Sequence, residues 1–319
     1  TSFSPLSANI GSTVTISGSG FNTTPANNIV FFGAVRANVI AATPTSLTAI
    51  VPVGSTYQPI SVNINGLTAY STLSFGTLFN NTAPITTNSF QYSTGEFQGF
   101  GPCITNYIAS DIDGDGKPDI VNKAWYDSIT IYRNSSSGNN ISLEKVNVFI
   151  GNNANNLSIA DYNGDGKPDI AALFSYANSI KILKNTSSAG NISFDPPVII
   201  SITLPLGRPQ FSVSGDVDGD GLIDLVISNE ADSTVSVIKN GSTGNTISFA
   251  TPVKYSMGEL PACVALTDLD GDLKSDIIVT SLSSNTISIL KNSSSVGSIS
   301  FDPKIDIPAG TQPNYISIA

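Results

Sequence analysis

From about residue 89 to the end, short apolar runs recur at a regular spacing. One set follows an acidic stretch at once: IVNKAW after residue 119, IAALFS after 169, LVISNE after 224 and IIVTSL after 276. A second set alternates more clearly: ITIYRN, IKILKN, VSVIKN and ISILKN. A third reads ISLEKVNVF, ISFDPPVII, ISFATPVKY and ISFDPKIDI. A short run also precedes each acidic stretch, as in Leu157 and Ile159 or Val264 and Leu266. Runs of this length, rich in β-branched and aromatic residues and bounded by turn residues, predict strands. The turn between the last two runs is itself repeated: NSSSGNN, NTSSAGN, NGSTGNT, NSSSVGS. Four strands per unit, repeated along the chain, predict β-propeller blades. A solenoid is the alternative, but its units are shorter and lack this four-strand grammar.

Residues 1–76 follow a different pattern. Val14 and Ile16 alternate with polar residues, and a Gly-rich turn ends in Phe21. NIVFFGAVRANVIAAT, SLTAIVP, PISVNING and AYSTLSF follow as strand-like segments at short spacing. This predicts an immunoglobulin-like β-sandwich. Residues 77–88 are polar and aperiodic, which predicts a linker. No sustained i, i+3, i+4, i+7 apolar pattern occurs. The expected fold is therefore all-β: a sandwich over 1–76, a linker, and a complete or incomplete propeller of four-stranded blades over 89–319.

The acidic stretches carry the chemistry. They read DIDGDGKPD from Asp111, DYNGDGKPD from Asp161, DVDGDGLID from Asp216 and DLDGDLKSD from Asp268. Oxygens at positions 1, 3 and 5 of a tight loop converge on one point. A position-7 carbonyl and a position-9 carboxylate can close the shell. Hard cations taking six to eight oxygens, chiefly Ca²⁺, want this set. The EF-hand carries its closing Glu at position 12, so this is not an EF-hand. Gly at positions 4 and 6 permits φ > 0. One copy would serve equally as a polar hairpin turn; four copies favour metal. Asn163 keeps an oxygen but removes a charge in the second loop. Leu273 replaces the position-6 Gly in the fourth, so that loop is expected to be distorted or to bind most weakly.

Net charge is −10, and fifteen of the 24 Asp and Glu lie in these loops. Four bound Ca²⁺ would bring the net charge to about −2. The 14 Lys and Arg do not cluster, which argues against nucleic acid as a partner. There is no His, the commonest general base, and no nucleophile, phosphate-loop or dinucleotide motif. Glu144, Glu230 and Glu259 are not paired as a glycosidase requires. The expectation is a non-enzyme. No apolar stretch is long enough for a transmembrane segment. Cys103 and Cys263 show no metal-type spacing; buried thiols or a disulfide both fit. Several N-x-S/T sequons, including Asn22, Asn134, Asn140, Asn185, Asn191, Asn240 and Asn292, sit mostly in repeated turns, where Asn has its own backbone reason.

Two resemblances add to this reading. Ser4-Pro5, Gly11, the run Val14 to Phe21, Phe32-Gly33, Val51-Pro52, Val62 and Phe75 resemble the IPT/TIG family of immunoglobulin-like domains. That implies a spacer or protein-binding module and no catalytic residue. The Asp-loop repeat, over roughly residues 89–319, resembles the FG-GAP/VCBS family of Ca²⁺-binding propeller repeats. The resemblance implies up to four Ca²⁺ in the loops between first and second strands. The side-chain ligands would be Asp111, Asp113, Asp115 and Asp119; Asp161, Asn163, Asp165 and Asp169; Asp216, Asp218, Asp220 and Asp224; and Asp268, Asp270, Asp272 and Asp276. The position-7 carbonyls would come from Lys117, Lys167, Leu222 and Lys274. The combination also looks like surface proteins of Bacteroidota.

Residues 310–319 match the run before each Asp loop and predict the start of a fifth unit. The sequence reads as an excerpt of a longer chain. Alternatively Asn88 to Gly95 closes a composite blade, or a neighbouring subunit completes the open edges. The face opposite the Asp loops would present Trp125, Tyr126, Tyr176, Arg208, Glu230 and Glu259. Trp125 either packs between blades or stacks on a ligand. The functional expectation is a secreted or cell-surface adhesion module, stiffened by Ca²⁺, binding glycan or protein on that face. The alternatives are a structural subunit of an extracellular filament or assembly, contacting neighbouring subunits, and a non-catalytic module of a larger secreted enzyme.

Overall fold

The computed structural model describes residues 2–33, 35–53, 55, 58–64, 67–78, 107–123, 127–137, 141–151, 154–202 and 208–316. Trp125, Tyr126, Cys103, Asn140 and the Asn88–Gly95 stretch lie outside the described residues. Among those described, strands dominate and the sole helical turn is a 3-10 turn at Pro25–Asn27.

The N-terminal sandwich holds β1 (Ser2–Ser4), β2 (Ser7–Asn9), β3 (Thr13–Ser17), β4 (Ile29–Phe32), β5 (Val35–Thr43), β6 (Ser46–Ile50), β7 (Gln58–Ile64) and β8 (Leu67–Leu78). Their order is β1-β3-β6-β5-β4-β7-β8-β2. β5 pairs β4 at one end and β6 at the other, with a register shift between Val39 and Ala41, so it passes from one layer to the other. Period-two alternation turns Val14, Ile16, Val30, Phe32, Leu47, Ala49, Ile60 and Val62 inward. Phe75 closes this core, edge-on to Phe3 and Phe32 at centroid distances of 5.9 and 4.8 Å. β8 runs to Leu78, two residues beyond the unit read from the sequence.

Four four-stranded antiparallel sheets follow. The first holds β9 (Tyr107–Ser110), β10 (Asp119–Lys123), β11 (Ser128–Asn134) and β12 (Leu143–Phe149). The second holds β13 (Asn156–Ala160), β14 (Asp169–Phe174), β15 (Ser179–Leu183) and β16 (Val198–Ser201). The third holds β17 (Pro209–Gly215), β18 (Asp224–Asn229), β19 (Thr234–Ile238) and β20 (Val253–Ser256). The fourth holds β21 (Pro261–Thr267), β22 (Asp276–Ser281), β23 (Thr286–Leu290) and β24 (Ile305–Pro308). Each sheet is a meander in chain order, the blade predicted from the repeat. The second strands of blades two to four are buried at every position, and blades two and three each lie between two neighbouring blades. That burial explains their unbroken apolar, β-branched sequence. The outermost strands β20 and β24 stand largely in solvent.

One expectation needs correction. The ISF segments do not belong to the fourth strand in blades two to four. Phe194, Phe249 and Phe301 form single bridges to Asn185, Asn240 and Asn292, and the edge strand begins only after Pro197, Pro252 or Pro303. Proline has no N–H to give a ladder. Blade one has no proline there, and β12 runs unbroken alongside β11. Residues 310–316, read as the start of a fifth unit, form no named strand.

Candidate metal centres

All four Asp loops fold to one hydrogen-bond pattern. The position-1 carboxylate takes the N–H of position 4 on one oxygen and of position 6 on the other: Gly114 and Gly116 on Asp111 at 2.8 Å each, Gly219 and Gly221 on Asp216 at 2.8 and 3.0 Å. Asp161 and Asp268 repeat it. Position 3 (Asp113, Asn163, Asp218, Asp270) accepts the N–H of position 5. Position 5 (Asp115, Asp165, Asp220, Asp272) accepts the N–H of position 7, which is Lys117, Lys167, Leu222 or Lys274. Position 9 (Asp119, Asp169, Asp224, Asp276) opens the second strand and accepts the N–H of position 2. The sequence-predicted side chains are thus gathered loop by loop.

Leu273 corrects the expectation of a distorted fourth loop. It adopts φ 69°, beside 88° and 87° at Gly116 and Gly221. Its N–H still reaches Asp268 at 2.9 Å. The loop keeps its shape, and the left-handed Leu costs roughly 1–2 kcal/mol.

Charge is the unsettled quantity in these loops. Carboxylate oxygens of Asp111, Asp113 and Asp115 lie within 4.8 Å of one another, as do those of Asp216, Asp218 and Asp224, and of Asp268, Asp270 and Asp276. Burial, opposed by backbone N–H groups and reinforced by neighbouring carboxylates, pushes Asp111, Asp169 and Asp216 up to about 7 and Asp224 to about 8. Asp119, Asp161, Asp218 and Asp276 are raised from the same leading cause. Fixed oxygens that resist ionising are oxygens a cation would satisfy.

A basic side chain already answers part of that demand. The residue before each repeated Asn is Arg133, Lys184, Lys239 or Lys291. Lys239 bridges Asp218 and Asp220, and Lys291 bridges Asp270 and Asp272. Arg133 pairs with Asp113 at 3.5 Å. Lys184 instead turns to the Asn245 carbonyl and Asp195. Its loop is the one with neutral Asn163 at position 3. The donor set is all oxygen, anionic and preorganised, and it fits a hard divalent cation.

The sequence reading missed the repeated Asn. Asn134, Asn185, Asn240 and Asn292 each donate a backbone N–H to the position-9 Asp at 2.7 or 2.8 Å. The amides of the last three then cross to the preceding blade. Asn185 donates to the Ile112 carbonyl, Asn240 to Tyr162 and Asn292 to Val217, at 2.8–2.9 Å. These three side chains are at most 1% exposed, so the sequons there are structural. The signal was present: the Asn falls 16 residues after the position-9 Asp in blades two to four and 15 in the first. Tyr162 adds a second seam contact, its hydroxyl bonding Ser158 at 3.0 Å and Ser214 of the next blade at 2.7 Å.

At the opposite strand ends, the described members of the expected ligand face are engaged in local contacts or stand in solvent. Arg208 lies 3.7 Å from Glu230, which also accepts from Gln210. Glu259 accepts the Ser283 hydroxyl at 3.1 Å, and Tyr176 stands in solvent at 86% exposure. Cys263 is buried.

The fold and loops define a two-part chain, a sandwich joined to acidic-loop blades. Comparison with known families agrees. Residues 1–79 match the IPT/TIG domain, and residues 111–172 and 216–279 match the FG-GAP-like repeat. The chain carries an N-terminal IPT/TIG domain followed by FG-GAP-like repeats. No curated protein matches it. Among solved structures it is similar to an auxiliary nutrient binding protein from Bacteroides thetaiotaomicron, at 13% identity over 94% of this chain and 84% of that one, TM-score 0.35. It is also similar to a putative 6-phosphogluconolactonase from Bacteroides fragilis, at 12% identity, the same coverage and TM-score 0.40. A rhamnogalacturonan lyase from Bacillus licheniformis matches at 14% identity over 92% of this chain and 65% of that one, TM-score 0.37.

Proposed function

We propose that this chain is a non-catalytic, extracellular binding module whose four Asp loops hold Ca²⁺. The observation that carries this reading is the convergence of carboxylate oxygens within 4.8 Å in three loops of one backbone pattern, mostly buried in loops one and three, with Asp270 exposed in loop four. Position-1, -3, -5 and -9 side chains of each loop would hold the ion, with the carbonyls of Lys117, Lys167, Leu222 and Lys274 completing the shell. The ion supplies charge neutralisation and no reaction. It stiffens the turn between first and second strands and, through the position-9 Asp and its Asn, the seam to the preceding blade. Loops of this kind suit the millimolar calcium outside cells. Among the described residues no helix is long and apolar enough to cross a membrane.

The end of the blades opposite the Asp loops is the ligand face in this reading, with Tyr176, Arg208, Glu230 and Glu259 on it. Glycan or protein is the ligand class. The test is thermal unfolding in EDTA and in millimolar CaCl₂, with calorimetric titration of the metal-free protein. A site whose Kd lies a hundredfold below free Ca²⁺ adds about 2.7 kcal/mol, so several sites raise Tm by many degrees. An unchanged Tm without binding heat would leave the loops as turns.

A second reading, a subunit of an extracellular assembly, draws on the blade edges. Phe149, Ile199, Val253 and Ile305 on the outer strands are each more than half exposed. Sedimentation showing a monomer at high concentration would remove it.

A further inference from the structure

The sandwich sits on part of the Asp-loop face, while Asp165 of loop two and Leu269, Asp270 and Gly271 of loop four stay exposed. Ile29 Cδ1 lies 2.6 Å from where a Cβ on Gly221 would stand. Val53 Cγ1 lies 3.0 Å from the same point on Gly114, and Ile10 Cδ1 lies 3.5 Å from that on Gly116. The Thr68 N–H donates to the Leu273 carbonyl at 2.5 Å, and the Tyr70 hydroxyl meets Ser275 at 3.1 Å. The sandwich therefore touches loops one, three and four. Phe31 completes the contact. It alternates away from the sandwich core yet is only 5% exposed, because it enters the blade cluster containing Tyr162 of loop two and Ile223 of loop three.

The chemistry of the two surfaces is unequal. Residues 1–79 contain one charged side chain, Arg36. A largely apolar roof, carrying only Arg36 as a charge on the face it shares with Phe31, thus covers part of an array of carboxylates. Taking bare carboxylates out of water is unfavourable unless a counter-charge accompanies them. A divalent cation in the loops removes most of that penalty, and the roof in turn shields the ion from water.

We infer that the sandwich is a cation-dependent cap: Ca²⁺ in the loops seats it on the blades, and its seating tightens Ca²⁺ binding. The inference rests on the calcium reading above. Linkage makes the two effects equal in free energy, since a cap that favours the loaded loops must be favoured by loading. Gly at position 6 then has a second duty in loop three, because any side chain at Gly221 would strike Ile29.

The test uses the full chain. Amide hydrogen exchange is followed in EDTA and in millimolar CaCl₂, with calcium titrated calorimetrically into the wild type and into Phe31→Ser and Ile29→Ser. Both substitutions lie on the outward face of β4 and leave Val30 and Phe32 in the sandwich core. The expected result is at least tenfold slower exchange at Thr68 with Ca²⁺, unchanged exchange in β3, and calcium affinity at least fivefold weaker in both variants. Exchange at Thr68 that is equal in the two buffers overturns the cap, whatever the variants do. Equal affinity in wild type and folded variants overturns it too, leaving the calcium sites standing. Absence of calcium binding by the wild type sinks the calcium reading, and the cap with it.

Discussion

Asn240→Ala tests whether the repeated Asn holds neighbouring blades together. Asn240 is fully buried. Its amide nitrogen donates to Tyr162 in the preceding blade and to Ile223 in its own, both at 2.9 Å, and its amide oxygen accepts the Ser242 N–H at 2.9 Å. Truncation keeps the backbone bond to Asp224 and removes these three. A typical net loss of about 1 kcal/mol per hydrogen bond gives about 3 kcal/mol, more if the carbonyls stay dry. Asn134 supplies the control. In blade one its amide donates to Pro118 at 3.0 Å and accepts from Ser136 at 3.1 Å, and both of these partners belong to its own blade. Asn134→Ala should cost about 2 kcal/mol on the same arithmetic. The difference, about 1 kcal/mol, is the bond across the seam. Urea unfolding at fixed free calcium, read by circular dichroism, measures both. Equal losses in the two variants, or a loss below about 0.5 kcal/mol for Asn240→Ala, would refute the seam role.

Three further outcomes follow from the loops. Without metal, Asp111, Asp169, Asp216 and Asp224 have folded pKa values of about 7 to 8, above the ordinary carboxylate value. The folded state then binds more protons than the unfolded one between about pH 4 and 8, so stability in EDTA falls as pH rises through that window; a higher urea midpoint at pH 8 than at pH 5 would contradict it. Leu273→Gly relieves the left-handed strain at the cost of backbone entropy, for a net gain of up to about 1 kcal/mol, read as a raised urea midpoint. Lys239→Met removes the ammonium bridging Asp218 and Asp220, so calcium affinity of that loop should rise several-fold by calorimetry, with no change expected if the lysine swings clear of the ion.

The blades were legible because two periodicities coincide in them, alternation within strands and a unit near fifty residues. The Asp loops were legible because oxygen side chains recur at positions 1, 3, 5 and 9 in four copies, and each of those positions accepts backbone N–H groups within its own loop. The seam Asn hid in turns where Asn is common for local reasons, and only its distance of 16 residues from the position-9 Asp in blades two to four sets it apart. The ISFDPP segment splits at its prolines, which interrupt the ladder while the residues around them keep a strand-like composition. The cap was harder. Ile29, Val30, Phe31 and Phe32 read as one apolar strand, and a sandwich strand with one wet face should alternate. The absence of alternation is the mark of a strand covered on both sides, but a sequence cannot say by what.

The position-9 Asp joins three levels of the architecture. It begins the second strand, which is buried between blades. Its carboxylate fixes the start of its own loop through the position-2 N–H, and the turn of the third strand through the Asn N–H. That Asn then reaches the loop of the preceding blade. A cation at the loop therefore acts on the seam as much as on the hairpin. The outer strands themselves receive none of this support; they hang on one ladder each. Removing the ion should leave fraying at the outer strands as it was and loosen the seams, the reverse of what edge exposure alone would dictate. The same geometry makes the cap consequential, because the surface that covers the loops also covers the points where one blade is fastened to the next.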